Sequence, residues 1–255
     1  MATYKKRGAK KSQAQVDPQN KMAESTTAEV FETLDTSASK AEAVISKFQN
    51  LILIGVGLIA LGVLSYLGYD RFVVVPKNQE AVSELNQAQF YFDLAVNSVE
   101  ADSLYRRALN GGEGKYGFLD ILENYKGTPA AKLATYSAGM AYLNLKEYDK
   151  AISYLDQFET DDILLNALSK GAIGDAFAQI DQKEDAYEYY VKAAQVSENL
   201  FSTPKYLFKA AMIGATIGKE KEALSFLKRI EKEFPEAPEA ANVAIQIGRL
   251  EVAQQ

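Results

Sequence analysis

The pattern of apolar residues changes abruptly near residue 48. Between Lys47 and Asp70, twenty-two consecutive residues carry no charge, and eleven of the nineteen from Leu51 to Tyr69 are Leu, Ile or Val. At about 1.5 Å per residue, a helix of this length crosses most of a hydrocarbon layer about 30 Å thick. The pattern therefore predicts one transmembrane helix, with its exit, over residues 48–75.

A cleavable signal peptide is the alternative to a permanent anchor. The apolar region of a signal peptide is only about 7–15 residues long and lies near the start of a chain. Here forty-seven residues precede the apolar segment, and no A-x-A-like cleavage site follows it. Pro76 is expected to end the helix near the membrane surface, because proline restricts the preceding residue to extended conformations. We predict a single-pass anchor that stays attached.

Glycines inside the predicted span indicate where another helix can approach. Gly55 and Gly62 lie seven residues apart on one face, while Gly57 and Gly68 share another face. Small residues allow two helix backbones to come close in a bilayer, although a true G-x-x-x-G motif is absent. The span contains no ionisable residue, which argues against a role in transport or proton relay.

The residues before the anchor, 1–47, fall into two parts. Residues 1–28 are polar and are predicted to be disordered, because they bury too little apolar surface to offset the entropy of ordering. From Ala28 to Phe48, apolar residues recur every three or four positions, and Thr27 is available as a cap. This part is predicted to form a juxtamembrane helix.

Residues 76–255 carry a helical pattern almost throughout. Ala, Leu, Glu and Lys dominate, and no window shows the sustained alternation of a strand. We predict a long helix over Asn78–Asn97, then a polar break and the loop NGGEGKYGF, and a final helix over Ala237–Ala253. The G-x-G-x-x-G spacing in that loop follows a charged helical segment, so it predicts an interhelical loop and no dinucleotide site.

The helices repeat along the chain. Two segments align with a period of thirty-five residues, which pairs Gly139 with Gly174, Tyr142 with Phe177, Ala151 with Ala186, and Leu155 with Tyr190. The alanine position extends to Gly117 upstream and Ala223 downstream, at spacings of 34, 35 and 37. The pattern resembles the tetratricopeptide repeat, although the usual tryptophan is missing and Ala211 and Gly214 replace the glycine and aromatic in the last unit.

This resemblance implies a fold and a binding surface. The implied fold is all-α, an α-solenoid of stacked antiparallel helix pairs that follows the transmembrane helix and the disordered tail. Family groove positions transfer to the first helix of each pair, and Tyr136 and Met140 at those positions fit the core equally well. The implied partner-binding groove consists of Tyr136, Met140, Leu143, Asn144, Asp175, Ala178, Gln179, Phe208, Met212 and Thr216.

Composition narrows the function. The chain contains neither cysteine nor histidine, which removes thiol nucleophiles, imidazole acid–base chemistry and nearly every zinc site. Residues 70–255 carry a net charge of −8, which does not suit nucleic acid. We expect a non-enzymatic protein without cofactor, metal or small-molecule substrate.

Charge also predicts orientation. Five basic residues lie within residues 5–11, and short basic segments stay in the cytoplasm while large domains are translocated largely regardless of charge. Close to the membrane the charges tie, with Lys40 and Lys47 on one side and Arg71 and Lys77 on the other. We therefore expect a cytoplasmic N-terminus and a periplasmic domain over residues 76–255.

The whole layout, a short tail, one anchor and an acidic repeat domain, resembles the YfgM family, in a variant typical of Bacteroidota. That resemblance implies the bacterial inner membrane and a scaffold beside the Sec translocon. The implied partners are the SecYEG translocon, a PpiD-like chaperone and emerging preproteins. The alternative is an envelope-assembly or cell-division adaptor whose groove binds a cell-wall enzyme.

Overall fold

The computed structural model describes the backbone of residues 18–253 and the side chains of residues 29–252. It divides the chain into two compact units, Met1–Gly68 and Tyr69–Gln255, and each is described separately below. The described residues are all-helical. No strand occurs among them, and the only β-type pairing there is an isolated bridge between Gly112 and Lys115.

The first unit consists of a single long helix, α1 (Pro18–Tyr69). The predicted helix start near Ala28 is too late, because residues 18–28 are already helical. The predicted disorder therefore does not extend over residues 18–28, and residues 1–17 lie outside the described part. Within the helical stretch Glu29–Val96, one window with a mean hydropathy of 2.4 is long and apolar enough to cross a membrane, and none of it is buried.

Pro76 does not end a helix, contrary to the prediction. A π-helical turn, Asp70–Val74, follows α1 and leads directly into α2 (Val75–Val96), where Pro76 lies in the first turn. A proline ring clashes with the carbonyl four residues earlier in a regular α-helix, and its missing N–H removes one hydrogen bond. The wider π turn just before Pro76 lies where the proline interrupts the regular hydrogen-bond ladder.

The second unit contains the remaining helices. The predicted long helix after Pro76 matches α2 closely, and the charged helical segment predicted before the loop NGGEGKYGF is the helix Ala101–Asn110, with Tyr105 and Leu109 buried. After α2, the helices are α3 (Ala101–Asn110), α4 (Phe118–Asn124), α5 (Pro129–Asn144), α6 (Tyr148–Asp156), α7 (Ile163–Gln179), α8 (Lys183–Gln195), α9 (Ser202–Gly214), α10 (Glu220–Glu233) and α11 (Ala240–Ala253).

Three consecutive helix pairs, α5–α6, α7–α8 and α9–α10, are joined by the same turn. Lys146, Asp181 and Gly218 occupy equivalent positions with φ of +62°, +62° and +78°. In each turn the next N–H donates to the carbonyl five residues earlier: Glu147 to Tyr142 at 2.9 Å, Gln182 to Phe177 at 3.0 Å, and Lys219 to Gly214 at 2.9 Å. This bond closes the end of a helix in the Schellman manner.

Small residues lie where the two helices of a pair approach. Ala151, Ala186 and Ala223 are fully buried, at the position where the sequence alignment placed a small residue. A Cβ atom on Gly139 would lie 2.6 Å from Leu155, and a Cβ atom on Gly174 would lie 2.7 Å from Tyr190. Each glycine therefore makes room for the bulky residue on the partner helix of its own pair.

The core forms along the order of the chain. One cluster of buried residues joins α2 to α6, a second joins α7 to α11, and Leu155, Ala172 and Ile173 link α6 to α7. Most helix contacts are between consecutive helices. The second unit therefore has a continuous apolar interior that follows the chain.

Candidate functional site

The candidate site lies along α5, α7 and α9, the first helices of the three pairs. Besides packing on its own partner, α7 contacts both α5 and α9. The starts of two of these helices are fixed by side-chain caps. Thr128 Oγ1 accepts from the N–H of Ala131 at 3.1 Å, and Asp162 Oδ1 accepts from the N–H of Leu165 at 2.9 Å.

A cleft of about 460 Å³ opens at the C-terminal halves of α5 and α7. Five of the ten predicted groove residues line it: Leu143, Asn144, Asp175, Ala178 and Gln179. The other lining residues are Lys146, Tyr148, Tyr190 and Lys209. We call this space the α5–α9 cleft.

Asp175 is the centre of a polar cluster in the α5–α9 cleft. The hydroxyl of Tyr190 donates to Asp175 Oδ1 at 2.7 Å, and Lys209 Nζ donates to the same oxygen. The Lys209 ammonium also lies 5.4 Å from the centroid of the Tyr190 ring, within the range of a cation–π contact. Three helices thus contribute to one charge-compensated cluster, because Asp175 belongs to α7, Tyr190 to α8 and Lys209 to α9.

Burial keeps the tyrosine hydroxyls beside this cluster protonated. Burial, followed by the negative charge of Asp175, raises the pKa of both Tyr190 and Tyr206 well above the usual range. The two rings stack with centroids 6.4 Å apart and an angle of 14° between their planes. Both phenols remain neutral at physiological pH.

Gly171 opens the face of α7 for a neighbouring aromatic ring. A Cβ atom at this position would overlap the Tyr206 ring of α9. Tyr206 is 3% exposed, so the ring fills the space that the glycine leaves between α7 and α9. This contact joins two successive helix pairs.

The other predicted groove residues lie outside the α5–α9 cleft. Tyr136 and Met140 are partly buried against the cluster of Leu155, Ala172 and Ile173, and burial raises the pKa of Tyr136. The pair therefore packs partly against the core, and its place in a binding groove stays a prediction. In the last pair, Phe208 and Met212 are partly buried against the second core cluster, whereas Thr216 is exposed in the turn after α9 and donates to the Ile213 carbonyl at 2.7 Å.

Sequence reasoning missed two members of the polar cluster, Tyr190 and Lys209. The repeat alignment pairs Tyr190 with the apolar Leu155, and Tyr190 is 4% exposed, yet its hydroxyl reaches Asp175. The sequence did contain a signal for the contact between Gly171 and Tyr206. Tyr136, Gly171 and Tyr206 follow one another at intervals of thirty-five residues, the period of the repeat. Lys209 had no comparable signal.

The amides of the cleft are exposed, while the Tyr190 phenol is neutral and the ion pair of Asp175 and Lys209 is internally compensated. Asn144 Nδ2 donates to the Met140 carbonyl at 2.8 Å, and Tyr148 donates to Gln179 Oε1 at 3.4 Å. Between residues 29 and 252, no group of three or more acidic side chains is placed to hold a metal ion. This lining suits hydrogen bonding to a polar chain.

Two larger clefts, of about 610 and 500 Å³, open elsewhere on the second unit. The first lies among α4, α5 and α6, and the second beside the loop Glu159–Asp162. Neither is lined by a predicted groove residue, and neither contains a polar cluster comparable to that of Asp175. The α5–α9 cleft is therefore the candidate site.

No model of a known protein family matches the chain, and no curated protein matches it significantly. The functional conclusion accordingly rests on the sequence and on the geometry described above.

Proposed function

We propose that this chain is a non-enzymatic, membrane-anchored scaffold that binds a segment of a protein partner in the α5–α9 cleft. The three equivalent turns, the buried alanines and the contacts of α7 with α5 and α9 support a tetratricopeptide-like solenoid for the second unit. In such a stack, the first helices of successive pairs line one continuous groove.

The observation that carries the proposal is the lining of the α5–α9 cleft. An extended peptide presents an N–H and a carbonyl at every residue. Exposed side-chain amides such as those of Asn144 and Gln179 can donate to the peptide carbonyl and accept from the peptide N–H. Leu143 and Ala178 add apolar contact beside them. Lys209 and Asp175 already compensate each other, and the exposed Lys146 is the further charged residue of the lining.

The proposed location is a bacterial inner membrane, with the N-terminal tail in the cytoplasm and the second unit in the periplasm. The basic residues of the tail and the long apolar stretch of α1 support this topology. By resemblance to the YfgM family, the proposed partners are the SecYEG translocon, a PpiD-like chaperone and emerging preproteins. A membrane anchor raises the effective concentration of the cleft near such partners, so a weak contact suffices.

Affinity capture from crosslinked membranes tests the proposal. The full chain is compared with a double variant, Asn144→Ala with Gln179→Ala, which removes both exposed amides of the cleft. The matched control is Gln195→Ala with Asn242→Ala, because these amides are also exposed and lie on α8 and α11, outside the cleft. We expect translocon subunits or the chaperone with the wild type and the control, and a loss of most of that recovery with the cleft variant.

Two results would count against this proposal. Equal recovery with the cleft variant would show that the α5–α9 cleft does not carry recognition. Recovery of cell-wall enzymes in place of translocon subunits would instead favour the envelope-assembly adaptor.

A further inference from the structure

One face of α1 carries a regular apolar seam in the part that precedes the predicted span. Phe31, Leu34, Ala38, Ala41, Ile45 and Phe48 follow one another at alternating intervals of three and four residues. This spacing, a mean of 3.5 residues, is the heptad repeat of a left-handed coiled coil, in which these residues take the a and d positions.

The seam continues in the same phase through the predicted span. Ile52, Gly55, Ile59, Gly62, Tyr66 and Tyr69 extend the alternation of three and four without a skip. Ile45, Ile52 and Ile59 all take a positions, where β-branched residues favour two-stranded pairing. Gly55 and Gly62 take d positions, where a small residue permits close approach inside a bilayer.

Among the side chains described in the first unit, from Glu29 onward, none covers this face. Phe31, Leu34 and Ile45 are 67%, 59% and 58% exposed, and a Cβ atom on Gly55 or Gly62 would meet no other atom within 4 Å. The polar side of the helix adds little stability of its own, because Thr33 and Thr36 have low helix propensity. A helix that stands alone in water is only marginally stable, and helices in proteins gain most of their stability by packing an apolar face against another element. This segment therefore needs a partner.

We propose that the partner is α1 of a second copy of this chain, paired in parallel along the seam from Phe31 to Tyr69. An amphipathic helix can alternatively lie flat on a lipid surface, but α1 has no proline, glycine or break between Glu29 and Ile54 at which it would turn from the surface into the bilayer. For a helix that lies on lipid, there is also no advantage in a heptad pattern that continues without a skip from the segment before the span into the span itself.

The charges beside the seam fit a parallel pair. Asp35 and Glu42 follow d residues and take e positions, whereas Ser37 and Val44 precede a residues and take g positions. In a parallel coiled coil each e position faces a g position of the other helix, so the carboxylates meet uncharged residues. Antiparallel pairing would set e against e and bring carboxylates together.

Single cysteines test the pairing in the full chain, which contains no native cysteine. Ala38→Cys at an a position and Ala41→Cys at a d position are compared with Ser39→Cys and Ala43→Cys on the outer face. A disulfide needs Cα atoms about 4.4–6.8 Å apart, which only seam positions of a paired helix meet. After mild oxidation of membranes, we expect several-fold more covalent dimer at positions 38 and 41 than at positions 39 and 43.

Equal crosslinking at all four positions, or no dimer at any of them, would overturn the proposal; the second result is the one that a helix lying on lipid gives. A second measurement uses the mass of the full chain in detergent. Leu34→Glu places a carboxylate in the seam and is expected to yield monomer, whereas Thr36→Glu on the outer face is expected to leave the dimer intact. A dimer that survives Leu34→Glu would also contradict the proposed seam.

Discussion

At the scale of single residues, Gly171 and Tyr206 set how closely two helix pairs can pack. Glycine inside a helix normally lowers stability by about 0.5–1 kcal/mol relative to alanine. At position 171 the packing of the Tyr206 ring, which occupies the place of a side chain, offsets this loss of stability. Gly171 thus lowers the intrinsic stability of helix α7 but allows α7 to contact α9.

This exchange predicts a reversal between two backgrounds. Gly171→Ala in the wild type is expected to lower the free energy of unfolding by about 1–3 kcal/mol, because the new methyl group overlaps the Tyr206 ring. In the Tyr206→Ala background the same substitution is expected to be neutral or to stabilise by up to about 1 kcal/mol. Urea unfolding of the fragment Lys77–Gln255 measures both values, and an equal effect in the two backgrounds would exclude the contact.

The buried phenols predict an alkaline limit to stability. The folded state raises the pKa of Tyr190 and Tyr206 above the unfolded value of about 10. Their contribution is therefore complete below pH 10 and is lost as the pH rises above 10, where the unfolded state releases these protons first. Replacing both with phenylalanine is expected to reduce the loss of stability between pH 9 and pH 11, as measured by urea unfolding.

The control is the phenolate absorbance of the folded wild type. It is expected to lag behind that of the urea-unfolded chain as the pH is raised. Coincident absorbance curves would mean that the tyrosines are accessible to solvent and that the raised pKa values are wrong.

At the scale of elements, one turn joins three helix pairs but uses three different residues. Gly218 adopts the left-handed conformation without a steric penalty, whereas Lys146 and Asp181 adopt it with a side chain present. A left-handed backbone costs an L-residue roughly 1–2 kcal/mol. The first two turns are therefore less favourable locally than the third, and packing of the flanking helices compensates.

Lys146→Gly is accordingly expected to stabilise the second unit by about 0.5–1 kcal/mol, because glycine adopts the left-handed region without a steric penalty. The matched control is Lys192→Gly, at an exposed position inside α8, which is expected to destabilise by about 1 kcal/mol. Thermal melting of the fragment Lys77–Gln255 compares them. A lower melting temperature for Lys146→Gly would mean that the lysine side chain makes a compensating contact.

A comparison of predicted and observed elements shows which features could be predicted from the sequence. The apolar run, the helical spacing and the buried positions of Ala151 and Ala186 follow from periodicity, which is a local property. The π turn before Pro76 was not predicted, because proline usually indicates a helix boundary and only the surrounding structure overrides that preference. The α5–α9 cleft was half predicted, because the repeat locates residues on α5 and α7 but Lys209 reaches Asp175 through tertiary contact.

At the scale of the whole molecule, the two units differ in what stabilises them. The second unit has its own core, while none of the apolar residues of α1 from Glu29 onward is buried in the first unit. The proposed function requires that the N-terminal tail and the second unit lie on opposite, defined sides of the membrane. Topology is therefore the property on which the proposed function depends most directly.

Thiol labelling in intact cells tests this topology. Ser12→Cys in the tail is expected to resist a membrane-impermeant maleimide, because we place the tail in the cytoplasm. Lys115→Cys, in the exposed loop between α3 and α4, is expected to react. Both variants should react equally once the membrane is permeabilised. Labelling of Ser12→Cys alone in intact cells would reverse the orientation and remove the translocon from the proposed partners.

The sequential packing of the second unit also bears on how the chain acquires its structure. Since most helices contact the helix just before or after them, few pairings between residues distant in sequence must form before others become favourable. Chains rich in such local contacts fold fast, and repeat arrays add structure one neighbour at a time. Helices that emerge after α1 can therefore pack in their order of synthesis, so the domain need not wait for its last residue before it begins to fold.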